Sequence, residues 1–193
     1  MPKVKENLTV VKPMYILAVV YAVLFLSFMF APMISYVADG VFSYVNGYQI
    51  VGICFNGSAL GSYSIVGSAG ALLIIMGLLL FLATLMAVAC LVLGVLGLTK
   101  KCSPAKYINA IVWGSLVFFI ACLIIVIIVS DLIINKNIGL TSYDFTSVYL
   151  GFGQAVLVVL PILYLITHKI VTQDMSNKSN SESQNVDKQQ IKK

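Results

Sequence analysis

Long stretches without a charged residue are the feature that most limits what this 193-residue chain can fold into. A helix needs about 20 mostly apolar residues, at about 1.5 Å of rise each, to cross about 30 Å of hydrocarbon. Hydrophobic residues make up 60% of the chain and charged residues 10%. That composition excludes a soluble globular enzyme, a disordered chain and a nucleic-acid-binding module, so we expect no nucleic acid partner. The predicted membrane spans are residues 14–34, 64–98, 108–134 and 149–168.

The second span is longer than one crossing requires. Its 35 residues would extend roughly 52 Å as a helix. A hairpin that divided it would need turn residues, and segment 72–93 contains no Pro, Asn or Asp. We therefore expect one long helix that tilts or projects beyond the outer face of the membrane.

All twelve basic residues are lysines, and they lie at the ends of the apolar runs. Eleven of them fall before the first run, in loop 99–107 or after the fourth run, and only Lys136 falls elsewhere. The positive-inside rule then places both termini in the cytoplasm and segments 35–63 and 135–148 outside a cell membrane. Eleven lysines against four acids give the inner segments a charge of +7. The outer side, with Asp131 at its boundary counted, holds Lys136 against Asp39, Asp131 and Asp144, for −2.

The division of the chain follows from this topology. Residues 1–13 form a cytoplasmic N-terminus, and residues 14–171 form the four-span membrane domain. Residues 172–193 are rich in Ser, Asn, Gln and Lys, and they hold too few apolar residues to form a core, so we expect a disordered cytoplasmic tail. The fold class is an all-α integral membrane protein, a four-helix transmembrane bundle with a small extracellular β-hairpin or meander between helices 1 and 2.

The pattern for that hairpin lies in the first outer segment. Val41–Val45 and Tyr48–Phe55 are rich in β-branched and aromatic residues, and Asn46-Gly47 between them is typical of a type I′ turn. A second Asn-Gly pair at Asn56 can extend the hairpin into a meander over 59–64. Two interpretations stay open, a structural cap on the helices or a recognition surface. The outer-face interaction candidates are Tyr44, Tyr48 and Phe55.

Residue patterns for catalysis or for cofactor and metal binding are missing from the sequence. The chain has one His, no Cys or His pairs at metal-ligand spacing, no phosphate-binding Gly loop and no acid pair within a span. We therefore predict no enzyme activity, no cofactor and no metal. Asp131 is the acidic residue inside a predicted span, where it serves either as an interfacial anchor or in an ion or proton path. His168 is expected to be a snorkelling interfacial residue.

Small residues recur within the spans at intervals of three, four or seven. In lipid, helices associate through such residues because close backbone approach replaces the hydrophobic driving force. The simpler interpretation is packing inside this bundle, and the alternative is a face for a partner protein or another copy. The helix-packing candidates are Gly70, Gly77, Thr84, Ala87, Gly94, Gly97, Ala110 and Gly114.

The order of segments, with a hairpin-bearing first outer segment and polar inner tails, resembles the claudin-like tetraspan arrangement. Claudins carry two cysteines and a tryptophan signature in that segment, whereas this chain has Cys54 alone there, so the resemblance implies topology only. The stretch from Phe42 to Gly52 is similar to small four-span membrane proteins of low-GC Gram-positive bacteria.

These observations favour a non-catalytic membrane interaction protein, an accessory, immunity-type or scaffold subunit that acts through helix packing and its outer hairpin. Its expected partners are the lipid bilayer and another membrane protein or a second copy of itself. The alternative is an oligomeric small-solute or ion transporter or channel component, which requires polar residues at mid-depth of the spans.

Overall fold

The computed structural model of the chain describes residues 8–57, 59–60, 63–64, 67–99, 105–134 and 145–190, and side chains over 12–57, 67–99, 107–134 and 146–174. This part of the protein is mostly helical and carries a small three-stranded sheet. In chain order the elements are α1 (Leu8–Phe28), β1 (Pro32–Ala38), β2 (Val41–Asn46), α2 (Gly47–Asn56), β3 (Ala59–Leu60), β4 (Tyr63–Ser64), α3 (Gly67–Leu98), α4 (Ala105–Ile134), β5 (Phe145–Leu150) and α5 (Phe152–Gln190).

Three helices are long and apolar enough to cross a bilayer. They are Gly67–Leu98 in α3, Tyr107–Ile134 in α4 and Phe152–Asp174 in α5, with 32, 28 and 23 residues. Helices of this length and composition indicate a membrane protein. The apolar part of α1, Lys12–Phe28, is shorter, so a fourth span is not confirmed. The span predicted over 14–34 ends early because Pro32 cannot continue the helix and begins a strand.

Four of the helices pack side by side. Helices α3 and α5 each contact both α1 and α4. The core between them divides into two clusters, one around Phe25, Leu80 and Phe119 and the other around Tyr15 and Tyr164. We call the end of the bundle nearest the three-stranded sheet the sheet end, and the opposite end, next to Lys12 and Lys169, the lysine end.

The β-hairpin is present, but one strand earlier than predicted. Strand β2 pairs with β1, in the register Ala38↔Val41, and not with a strand over Tyr48–Phe55. Asp39 and Gly40 form the turn, with φ of 51° and 76°. A type I′ turn requires positive φ at both central positions, and Asp-Gly meets that requirement as well as Asn-Gly does. The predicted second strand is therefore wrong.

The segment predicted as that strand is helix α2. Asn46 is its N-cap, because the Asn46 Oδ1 accepts from the Gln49 backbone N–H at 2.9 Å and the Gln49 Oε1 accepts from the Asn46 N–H at 2.9 Å. This reciprocal pair is a capping box. Residues Gly47, Ile50 and Ile53 are buried at helical spacing. Asn46-Gly47 thus begins a helix instead of closing a hairpin.

A third strand comes from the second connecting segment. Strand β5 pairs antiparallel with β1, with Ile34 opposite Leu150 and Val37 opposite Ser147, so the sheet order is β2-β1-β5. Tyr149 and Leu150, predicted to begin the fourth span, are strand residues, and α5 starts at Phe152. The predicted extension over 59–64 forms a separate pair of two-residue strands, β3 and β4.

Helix α5 runs to Gln190, whereas the sequence predicts disorder over 172–193. Segment 172–190 contains no Pro or Gly, the residues that most strongly end a helix, so the helix begun by the apolar run continues through it. Residues 191–193 lie outside the described part of the chain.

Candidate interaction surface and polar core

One face of the three-stranded sheet is exposed. It is formed by alternate residues of each strand, and in the register Tyr44 and Tyr149 flank Ser35, while Phe42 and Ser147 flank Val37. Phe42, Tyr44 and Tyr149 are 64%, 54% and 56% exposed. Strands β1, β2 and β5 contain no charged residue. We call these six residues the sheet face.

The other face of the sheet is buried against the helices. Tyr36 and Val148 lie opposite each other on β1 and β5, and both are buried. The Ser130 hydroxyl of α4 donates to the Val148 carbonyl at 2.9 Å. Gly151 donates its N–H to the Met33 carbonyl at 2.8 Å, and a Cβ at this position would overlap the Pro32 carbonyl. Hydrogen bonds and close packing therefore join the sheet to the ends of α4 and α5.

The three predicted outer-face candidates lie in two places. Tyr44 is on the sheet face. Tyr48 is on α2, where its ring lies 4.6 Å from that of Phe30 and its hydroxyl donates to the Leu26 carbonyl at 3.0 Å. Phe55, at the other end of α2, packs edge-on against Phe81 of α3 at 5.7 Å. The structure thus places Tyr48 and Phe55 beside the helices and Tyr44 on the sheet.

Several of the predicted helix-packing residues lie at helix contacts. A Cβ at Gly94 or Gly97 would lie within 2.8 Å of Val19 or Tyr15 of α1. A Cβ at Gly77 would lie 2.5 Å from the Ile50 carbonyl oxygen of α2. Of the remaining candidates, Gly70 and Ala87 are buried, Thr84 is half-buried with its hydroxyl on the Leu80 carbonyl, Gly114 is half-buried near Met86, and Ala110 is exposed.

Asp131 lies on the exposed side of the last turn of α4, three residues before the helix ends at Ile134. Within the described residues, no group of three His, Cys, Asp or Glu side chains lies close enough to hold a metal ion. The thiols of Cys54, Cys90 and Cys122 are free. Partial burial of Cys54 on α2 raises the pKa of its thiol.

Ser115 and Gln154, two of the few polar residues within the predicted spans, are both buried in the core. The Tyr21 hydroxyl lies 2.6 Å from Ser115 Oγ, and Ser115 in turn donates to the Val112 carbonyl at 2.8 Å. Gln154 is fully buried and donates from Nε2 to the Phe119 carbonyl at 3.1 Å. Its Oε1 has no hydrogen-bond partner among the described residues. Tyr21 was not predicted as a polar core residue, and a tyrosine inside an apolar run is the signal by which it could have been found.

His168 takes part in a second polar cluster at the lysine end. Its Nε2 lies 3.1 Å from Asn109 Nδ2, and its ring stacks on Tyr164 at 5.9 Å. The Tyr164 hydroxyl donates to Asn109 Oδ1 at 3.5 Å. Half-buried His168 thus joins α5 to α4, and its predicted position at the membrane interface stays a prediction.

Comparison of the chain with protein-family models, with curated proteins and with solved structures finds no match.

Proposed function

We propose that this chain is a four-span protein of the cell membrane with both termini in the cytoplasm. Helix α1, at 21 residues, is about 32 Å long, which suffices to cross the hydrocarbon layer as the first span. The distribution of lysines supports this orientation. Lys12 and Lys169 lie at the lysine end, and Lys100 and Lys101 follow α3 in the sequence. The sheet end then faces the outside.

The function that the geometry supports best is a non-catalytic interaction protein, an accessory, immunity-type or scaffold subunit that binds another membrane protein through the sheet face. The observation that carries this proposal is the exposure of Phe42, Tyr44 and Tyr149 on strands without any charge. Cores of protein interfaces are enriched in aromatic residues and depleted of charged ones. Tyr combined with Ser, as in Tyr44 beside Ser35, supplies contact area and adaptable hydrogen bonds.

The binding proposal is tested by purification in mild detergent followed by mass measurement of the intact complex. The wild-type chain is expected to carry a partner, and Tyr44→Ser is expected to lose it. Tyr107→Ser is the matched control, because Tyr107 is also exposed, at 66% against 54% for Tyr44, but lies at the lysine end. A wild-type sample that is a monomer without a partner would contradict the proposal. Equal loss of the partner in Tyr44→Ser and Tyr107→Ser would contradict it as well.

The orientation is tested separately by thiol labelling of sealed cells with an impermeant reagent. A cysteine placed at Asn56, at the end of α2, is expected to be labelled from outside, whereas Cys102 in loop 99–107 is expected to react only after lysis. Labelling of Cys102 in sealed cells would overturn the orientation.

A second candidate function, transport of a small solute or ion, is favoured by the polar core. Gln154, the Tyr21–Ser115 pair and the Asn109–His168 pair follow one another along α1, α4 and α5. Polar groups at several depths are what a transport path requires. Tracer flux into liposomes tests it, with Gln154→Leu and Asp131→Asn as variants. Absence of flux from an oligomeric wild-type sample would exclude this candidate.

A further inference from the structure

Helix α2 has a composition that suits lipid better than water. Its sequence from Gly47 to Asn56 contains no charged residue. One face, with Ile50 and Ile53, is buried in the protein, and the opposite face exposes Phe55 to 69%. We propose that α2 is an interfacial helix that lies in the bilayer leaflet at the sheet end, with Phe30, Tyr48 and Phe55 in contact with phospholipid.

Several backbone groups at the two ends of α2 have hydrogen-bond partners within the protein, as a site with little water requires. At its start, the Gly47 N–H donates to the Met29 carbonyl at 2.8 Å, and the capping box satisfies the N–H groups of Asn46 and Gln49. At its end, the Gly57 N–H donates to the Ile53 carbonyl at 3.1 Å. Backbone groups without partners are costly in lipid, and the ends of a short helix expose most of them. These bonds provide partners for the N–H groups of Gly47 and Gln49 in the first turn and for the Ile53 carbonyl in the last.

The contacts of α2 also fix its depth. Ile50 and Cys54 lie against Gly77 of α3, and α3 rises about 32 Å from Gly77 to Leu98. Tyr48 donates to Leu26 of α1, and Leu26 lies about 21 Å above Lys12 along the helix axis. The hydrocarbon layer is about 30 Å thick. Helix α2 therefore lies at the edge of the hydrocarbon or just within it.

The exposed side chains of α2 continue the apolar surface of the spanning helices. Phe30, whose ring contacts that of Tyr48 at a tilt of 51°, is 68% exposed, and Phe55 reaches Phe81 in the middle of α3. Near this contact α3 exposes further large apolar residues, namely Ile74, Ile75, Leu78 and Leu82. Aromatic residues concentrate at the boundary between hydrocarbon and headgroups, where the Tyr hydroxyl and the ring are both accommodated. The surface of α2 is thus continuous with the lipid-facing surface, whereas the sheet face is a separate surface.

Depth-dependent quenching of tryptophan fluorescence tests the location of α2. The single native tryptophan is removed by Trp113→Phe, and reporters are introduced as Phe55→Trp and Phe30→Trp in the full-length chain. Each protein is placed in phosphatidylcholine vesicles with brominated acyl chains and, separately, in unbrominated vesicles with aqueous iodide. Both reporters are expected to lose most of their emission to the brominated lipid and little to iodide.

Two controls calibrate the measurement. Val88→Trp, on the exposed side of the mid-span of α3, reports a lipid-facing site, and Phe42→Trp reports the sheet face. An unchanged elution volume in detergent shows that each variant folds. Quenching of Phe55→Trp and Phe30→Trp by iodide, with little effect of the brominated lipid, would overturn the proposal and would mean that α2 faces water or a soluble partner.

Discussion

The hydroxyl of Tyr21 on α1 lies 2.6 Å from Oγ of Ser115 on α4, and both side chains are buried in the middle of the bundle. Ser115 Oγ also donates to the Val112 carbonyl at 2.8 Å. Because a hydroxyl has one proton, Ser115 uses its own on Val112, and Tyr21 must be the donor to Ser115. Loss of the Tyr21–Ser115 bond therefore leaves the Tyr21 hydroxyl without an acceptor, whereas Ser115 keeps its bond to the Val112 carbonyl.

This difference predicts which of two substitutions lowers the free energy of unfolding more. Tyr21→Phe leaves Ser115 bonded to Val112, so it should lower the free energy of unfolding by about 0.5–1 kcal/mol. Ser115→Ala leaves the Tyr21 hydroxyl buried without an acceptor, which should cost about 1–2 kcal/mol. Unfolding in detergent with increasing dodecyl sulfate measures both. A larger loss in Tyr21→Phe than in Ser115→Ala would contradict the assigned direction of the bond.

The contact between α2 and α3 gives a second prediction. Gly77→Ala places a methyl group 2.5 Å from the backbone oxygen of Ile50, which cannot move without moving α2. We expect a loss of about 1–3 kcal/mol in the free energy of unfolding, as for other overpacked sites. Gly114→Ala is the control, because the atom it meets, at 3.1 Å, is the flexible end of Met86. Equal effects of the two substitutions would show that Gly77 is not a close contact.

The three helices that are long and apolar enough to cross a membrane could be predicted from sequence, because an apolar run of sufficient length has few alternatives. The hairpin could not be placed correctly, because Asn-Gly is compatible both with a type I′ turn and with the start of a helix. The Gln49 that completes the capping box, three residues after Asn46, is the local signal for the helix. Asp39-Gly40, an equally good turn, was the signal for the hairpin.

Other features depend on partners far apart in the chain. Strand β5 pairs with β1 more than one hundred residues away, and its apolar residues merge in sequence with those of α5. Gly151 is the one residue between the two elements, and a single glycine inside an apolar run does not by itself indicate a change from strand to helix. In the candidate site, Tyr44 could be singled out from the sequence as an exposed aromatic residue, but its alignment with Ser35 and Tyr149 could not, because it requires the sheet register.

The role of Asn46 as an N-cap leads to a third prediction. Asn46→Ala should cost about 1 kcal/mol, since it removes the acceptor for the Gln49 N–H, whereas Asn46→Ser should restore most of the stability. Asn56→Ala, at the exposed end of α2, serves as the matched control. Unfolding in detergent measures the three variants. If Asn46→Ala and Asn56→Ala lost the same stability, α2 would not depend on its capping box.

The position of Cys54 predicts the pH dependence of its alkylation. Burial raises the pKa of this thiol, even though a backbone hydrogen bond opposes the shift. Only the thiolate reacts, so at any pH near neutrality Cys54 should alkylate more slowly than an unhindered thiol. Its rate should still be rising with pH where that of a small reference thiol has levelled off. The rates are measured with iodoacetamide in a variant in which the other three cysteines are Ser, and a cysteine placed at exposed Asn56 gives the matched reference. A titration midpoint at or below that of the reference would show that Cys54 is not packed against Gly77 and Ile74 as the structure describes.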